Sequence, residues 1–133
     1  MSKPTPVPFR LAKVNTEEFA TFPNVEQIEG EIDLQTGISY AIDDEGSAVK
    51  CIARFQYECA DKVFVLLQAS CEFEIEPKTW SKWHSKKEAL VTIPMNFASH
   101  LAVITIGTAR GIFHAKTEHT VFNKYLIPTI NVT

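Results

Sequence analysis

The residues that could carry chemistry are few, and their spacing forms no recognisable site. His100 and His114 are separated by about four turns of a predicted helix, which is too far for a shared metal ion. His114 and His119 have no cysteine or carboxylate pattern nearby beyond Glu118. Because zinc sites need clustered ligands, we expect surface or interface histidines and no metal site.

The candidate nucleophiles are equally isolated. No Ser, Cys or Lys stands beside a His in a nucleophile motif. Cys51, Cys59 and Cys71 lack CxxC spacing and share one parity of strand-like segments, which indicates small buried side chains in a reducing compartment.

Paired carboxylates could perform general acid–base catalysis, and Glu29, Glu31 and Asp33 share one face of a predicted strand. A solvated strand face is the favoured explanation of these acids. The sequence therefore predicts no catalytic residue, no cofactor and no enzyme. One alternative is a small-molecule-binding or enzymatic α+β domain with an apolar pocket between sheet and helix.

The segment Lys78–Lys87 interleaves Trp80 and Trp83 with basic residues, a pattern that can hold single-stranded nucleic acid. The whole chain has a formal net charge of −3 and provides no basic field for nucleic acid. We favour a solvated connector whose tryptophans pack onto the domain, and expect no nucleic-acid partner.

The length of 133 residues and the 45% hydrophobic composition fit one domain, residues 1–133, with its own core. Residues 1–8 carry three prolines and are expected to be a flexible lead-in. That lead-in has no apolar signal-peptide core, and no apolar run reaches the roughly 18 residues of a membrane helix. We therefore expect a cytoplasmic protein without a membrane segment.

Three segments alternate apolar and polar residues as strands do: Gln27–Ile42, Ser47–Cys59 and Lys62–Ile75. Short turns connect them, which predicts an antiparallel meander with one wetted face. We expect a bulge at Thr36-Gly37. The mixed segment Phe9–Phe22 is expected to lie extended along a sheet edge.

A long apolar helix is predicted over Phe97–Phe113, because about 17 residues without a turn signal is long for a strand. Asn96 is the expected N-cap, and Arg110-Gly111 the expected end. Val121–Thr133 is expected to be extended. The fold class is therefore α+β, an antiparallel β-sheet packed by one long apolar C-terminal helix.

This helix is apolar on every side, so a sheet can cover only part of it. The face expected to meet the sheet carries Phe97, Leu101, Ile104, Thr108 and Ile112. A second subunit is expected to cover the remaining positions, namely Val103, Ile106, Gly107, Gly111 and Phe113. The GxxxG spacing of the two glycines permits close packing of helices.

The order of these features resembles the SecB export chaperone family. The likeness is carried by four segments: Phe9–Asn24 with its terminal Pro-Asn, Pro94–His100 before the helix, Arg110-Gly111, and Leu126–Asn131, which is similar to that family's Leu-x-Pro-x-Asn. The resemblance implies a cytosolic homo-tetramer, or at least a homo-dimer, with long helices at the subunit contacts. It also implies a molecule without cofactor or turnover that binds unfolded client polypeptides in apolar grooves, in one branch for protein export.

Client contact is expected at Phe64 and Leu66, where the outer face of the third strand begins apolar, and at Trp80 and Trp83. The family's strand that docks the export motor carries a glutamate, whereas Phe64-Val-Leu-Leu67 aligns there without one. Binding to the export motor is therefore not expected, and a SecB-like chaperone for other clients fits equally well.

Overall fold

The computed structural model describes residues 7–22, 31–85 and 90–130. Its elements are β1 (Phe9–Thr21), β2 (Ile32–Asp43), β3 (Ala48–Cys59), β4 (Lys62–Ile75), α1 (Pro77–Trp83), β5 (His84–Ser85), β6 (Leu90–Val91), α2 (Met95–Thr117) and a 3₁₀ helix (Val121–Lys124). The predicted α+β class is confirmed. Most of the predicted lead-in 1–8, the first residues of the predicted strand Gln27–Ile42, and Lys86 and Lys87 lie outside the described residues.

The four long strands form one antiparallel sheet in the order β1-β4-β3-β2. The run β2-β3-β4 is the predicted meander, and β1 lies beside β4 at the sheet edge, as expected for Phe9–Phe22. The predicted bulge at Thr36-Gly37 is wrong. Pairing of β2 with β3 continues without a shift from Ile32 to Asp43, because Ile32 through Ile42 keep one parity and Thr36 takes its place in that row.

Helix α2 packs across β3 and β4 and builds the core with them. Val49, Cys51, Cys71 and Phe73 of the sheet are fully buried, as is Leu101 of the helix. Thr105 is also fully buried, and its hydroxyl donates to the Leu101 carbonyl oxygen at 2.8 Å. That bond satisfies a polar group which would otherwise cost free energy in the core.

Helix α2 is longer than the sequence predicts. It begins at Met95, with Pro94 and not Asn96 in the N-cap position, and continues past Arg110-Gly111 to Thr117. A glycine inside a helix costs about 1 kcal/mol relative to alanine. Burial of Phe113 and Thr117 beyond it offsets that cost.

The side of α2 that meets the sheet also differs from the expectation. Ile106 is 3% exposed and Phe113 is 1% exposed, both within the chain's own core rather than facing a second subunit. Val103, Gly107 and Gly111 face outward. Because α2 is apolar on every side, its sequence does not distinguish the face that is buried from the face that is exposed.

Side chains of the domain hold the segment after α2 in place by donating hydrogen bonds to its backbone carbonyl oxygens. Arg110 donates to the backbone oxygens of Ile127 and Pro128 at 2.7 and 2.8 Å, and the Tyr57 hydroxyl donates to the oxygen of Leu126 at 2.6 Å. Part of the segment predicted to be extended is instead the 3₁₀ helix Val121–Lys124, and residues 131–133 lie outside the described residues.

Candidate functional site

The width of one helix determines which apolar side chains of the sheet stay uncovered. A helix is about 10 Å across, whereas strands 4.8 Å apart place the outer two of four about 14 Å apart. The helix-facing side chains of both edge strands therefore extend past α2. Leu11 and Val14 of β1 are 44% and 45% exposed, and Tyr40 and Ile42 of β2 are 40% and 47% exposed.

The β1 row comprises Phe9, Leu11, Val14 and Phe19, which all point to the helix side. Phe9 anchors one end, with its ring 5.3 Å from Phe97 and 5.8 Å from His100. Phe19 packs against the core at the other end. Leu11 and Val14 lie between these anchors on a firmly held strand and still present apolar surface to solvent.

The β2 row comprises Ile32, Leu34, Ile38, Tyr40 and Ile42, with Thr36 between Leu34 and Ile38. Ile38 packs against the core, and the Tyr40 hydroxyl donates to the Ala98 carbonyl oxygen of α2 at 2.7 Å. Partial burial raises the pKa of Tyr40 above its ordinary value, so the phenol remains a donor at neutral pH. Tyr40 thus fixes the edge strand to the helix while its ring stays partly exposed.

The opposite face of the sheet is an ionic network. Lys50 bonds Glu17 at 2.7 Å, Arg54 bonds Glu18 at 3.0 Å, and Arg10 bonds Glu74 at 2.7 Å. The Lys50 ammonium and then the Ser70 hydroxyl hold the pKa of Glu17 below its ordinary value. The outer face therefore carries paired charges, with Leu66 and Ser70 buried on it, whereas the helix side of the edge strands carries the exposed apolar rows.

The four residues expected to contact client polypeptide do not form one exposed surface. Phe64 is fully buried, because pairing between β3 and β4 skips it and turns its ring into the core beside Tyr57 and Tyr125. Leu66 lies on the outer face at 7% exposure. In this conformation neither side chain offers a polypeptide an accessible surface.

The two tryptophans are packed onto the domain, as the favoured interpretation of Lys78–Lys87 proposed. Trp80 is 4% exposed and donates its indole N–H to Asp44 at 2.8 Å. Trp83 is half-buried against Phe97, with ring centroids 5.3 Å apart. Trp80 is therefore unavailable for stacking on a nucleic-acid base, and of the four expected contact residues Trp83 keeps the most exposed surface.

The site residues that sequence reasoning missed are Leu11, Val14, Tyr40 and Ile42. Their alternation is visible in the sequence, but it only assigns them to the helix side of the sheet. The useful comparison would have been the number of predicted strands with the number of predicted helices that could cover them. One helix cannot cover four strands, so uncovered apolar side chains are expected on the edge strands, although Phe9, Phe19 and Ile38 still pack against the core.

Little in the described residues favours catalysis or a small ligand. Within those ranges, no group of three His, Cys, Asp or Glu could hold a metal ion. Burial raises the pKa of the Cys51 thiol, which makes it a poor nucleophile. Fully buried side chains lie between sheet and helix. An open pocket of about 150 Å³ lies at the Ala41–Asp43 end of the β2-β3 hairpin, and another of about 370 Å³ lies where Phe9 of β1 meets Ile75 of β4.

No protein-family model matches the chain, and no curated protein is similar to it in sequence. Among solved structures, it is similar to the crystal structure of a protein of unknown function from Streptococcus agalactiae. The identity is 14% and the TM-score 0.38, over 96% of this chain and 99% of the other. A similarity of this size carries no functional argument. Across the residues with described structure, every helix is too short or too polar to cross a membrane.

Proposed function

We propose that the protein is a cytoplasmic, homo-oligomeric chaperone that binds extended segments of non-native polypeptide without chemical turnover. The supporting observation is the pair of exposed apolar rows on the helix side of the two edge strands. Soluble domains rarely leave contiguous apolar surface in water unless a partner covers it. In the β2 row, Ile38, Tyr40 and Ile42 place an apolar side chain at every second residue, the spacing that matches an extended chain.

The chemistry of the rows suits partners of varied sequence. Their residues are aliphatic or aromatic and bind by burial, which is non-directional and roughly proportional to area. The strands beneath them are held by a filled core, so the rows would be present before a client arrives. These properties fit a holding surface better than a site for one shaped ligand.

The proposed oligomer rests on the outward face of α2. Val103 is 54% exposed, and a methyl group added at Gly107 or Gly111 would meet no described atom within 4 Å. If two antiparallel helices cross at Gly107, Val103 of each copy lies over Gly111 of the other. The protruding valine and the flat glycine surface are then self-complementary, as a symmetric interface requires. The resemblance to the SecB family agrees with helices at subunit contacts.

The chaperone proposal is tested by suppression of aggregation. A chemically denatured client is diluted into buffer with equimolar protein, and light scattering is followed. We expect wild-type protein to suppress scattering and the double substitution Val14→Asp, Ile42→Asp to lose most of that effect, since it places charges in both rows. Both positions are nearly half exposed, so unfolding midpoints should change little.

Val121→Asp is the matched control, because Val121 is 71% exposed and lies on the 3₁₀ helix, which belongs to neither row. It should suppress aggregation as the wild type does. Absence of suppression by wild-type protein at equimolar concentration would refute the proposal. Undiminished suppression by the double variant would show that the rows do not bind clients.

A further inference from the structure

The two edges of the sheet differ in how well they could accept another strand. Pairing of β1 with β4 shifts register between Leu11 and Lys13 and again between Thr16 and Glu18. Bulges and edge lysines are devices that discourage strand addition. In contrast, β2 pairs twelve consecutive residues with β3 without a shift, and it contains no Lys, Arg or Pro.

Among the described residues, the outer edge of β2 also carries backbone groups that no other strand pairs with. Alternate residues of an antiparallel edge strand direct their N–H and C=O away from the sheet. Among the described residues, no backbone hydrogen bond reaches β2 from any strand other than β3. On the outer face Gly37, Ser39 and Ala41 are small and exposed, so side chains leave the edge open.

We infer that β2 is the strand to which the polypeptide adds, extending the sheet by main-chain hydrogen bonds while Tyr40 and Ile42 pack against its alternate side chains. This inference rests on the proposed function and specifies its site and mode of binding. Strand addition supplies affinity through the backbone, and the row supplies a preference for apolar side chains at every second position.

The charge of β2 and its flanking residues indicates which kind of strand could pair with it. Residues 31–45 contain five carboxylates, at Glu31, Asp33, Asp43, Asp44 and Glu45, and no Lys or Arg. If a second copy of β2 docked antiparallel about Gly37, Glu31 of each copy would oppose Asp43 of the other. Like charges directly opposite are destabilising. The occupant is therefore not a second copy but a foreign segment that is apolar in the middle and basic at both ends.

The test uses a fluorescein-labelled peptide of four Val-Thr repeats with two lysines at each end, and fluorescence anisotropy with the full-length chain. Ile42→Lys should weaken binding at least about tenfold, by placing a cation in the row and against the basic ends. The matched control Val121→Lys should bind as the wild type does. Replacing the peptide's lysines by glutamates should weaken binding by a similar factor.

Two measurements separate strand addition from apolar contact alone. The same peptide with N-methylated central amides keeps its side chains but cannot pair as a strand, and we expect binding to fall by at least about tenfold. In the complex with the unmodified peptide, alternate amides of β2 should exchange with deuterium more slowly, whereas β1 amides should not change.

Equal binding of the N-methylated peptide, or weakening by Val14→Lys but not by Ile42→Lys, would overturn the assignment of β2. So would failure of the unmodified peptide to bind wild-type protein. If any of these results appears while the wild type still suppresses aggregation, this inference fails and the proposed function stands. If the wild type suppresses nothing, the proposed function fails as well.

Discussion

Asp44 connects the β2-β3 turn to helix α1. One carboxylate oxygen accepts the Trp80 indole N–H at 2.8 Å, and the other lies 3.1 Å from His84 Nε2. The hydrogen bond from Trp80 and, to a smaller extent, the contacts with His84 hold the pKa of Asp44 below its ordinary value. The ionised Asp44 carboxylate therefore holds the β2-β3 turn against Trp80 and His84.

We predict that Asp44→Asn makes folding stability less sensitive to acid. A carboxylate whose pKa is lower in the folded state stabilises the fold above its unfolded pKa of about 3.9, and the stabilisation is lost as the pH falls through the folded pKa. Between pH 5 and pH 3, the urea midpoint of the wild type should therefore fall further than that of the variant.

The measurement follows fluorescence, because Trp80 and Trp83 are the chain's two tryptophans and both lie in this region. Glu45→Gln removes a neighbouring exposed carboxylate and serves as the control, with a pH response like that of the wild type. Equal acid sensitivity in Asp44→Asn and wild type would show that the contacts with Trp80 and His84 do not stabilise the ionised form.

At the scale of elements, the strands could be predicted because each keeps one parity over many residues, and β4 begins and ends where predicted. Local features that break the parity were missed. Phe64 occupies an extra position in the β3-β4 pairing, and one inserted residue turns a side chain to the other face. The orientation of α2 could not be predicted. Ile104 and Ile106 are the same residue type with apolar neighbours, so the sequence does not show which of them faces the sheet.

The turn between β3 and β4 gives a prediction at this scale. Ala60 and Asp61 have φ values of 51° and 62°, both in the left-handed region that the two-residue hairpin requires. A residue with a Cβ pays about 1–2 kcal/mol there, whereas glycine loses about 0.4–1 kcal/mol more entropy on folding. Ala60→Gly should therefore raise the free energy of unfolding by about 0.5 kcal/mol.

Urea denaturation at pH 7 measures this change. The matched variant is Ala48→Gly at the start of β3, where the same substitution lies in a strand and should be destabilising. If Ala60→Gly lowers stability as Ala48→Gly does, the left-handed conformation of the turn would be contradicted.

At the scale of the whole molecule, the described residues bury a core but leave apolar side chains exposed in the two rows and on the outward face of α2, among other positions. We predict that Val103→Asp dissociates the proposed oligomer while the chain stays folded. The side chain is 54% exposed in the single chain, so an aspartate there should change stability by no more than about 0.5 kcal/mol. A carboxylate buried without a partner between two helices costs several kcal/mol, which corresponds to at least about a hundredfold weaker association.

Sedimentation velocity at micromolar concentration measures the assembly, with Val121→Asp as the control for adding a charge at an exposed valine.

Gly111→Ala distinguishes an effect on helix stability from an effect on association. Alanine stabilises an exposed helix by up to about 1 kcal/mol relative to glycine, whereas its methyl group lies where Val103 of another copy would pack. We expect this variant to unfold at a higher urea concentration and to associate more weakly. Wild-type protein that sediments as a monomer would refute the oligomer, and Val103→Asp that assembles like the wild type would move the interface away from this face of α2.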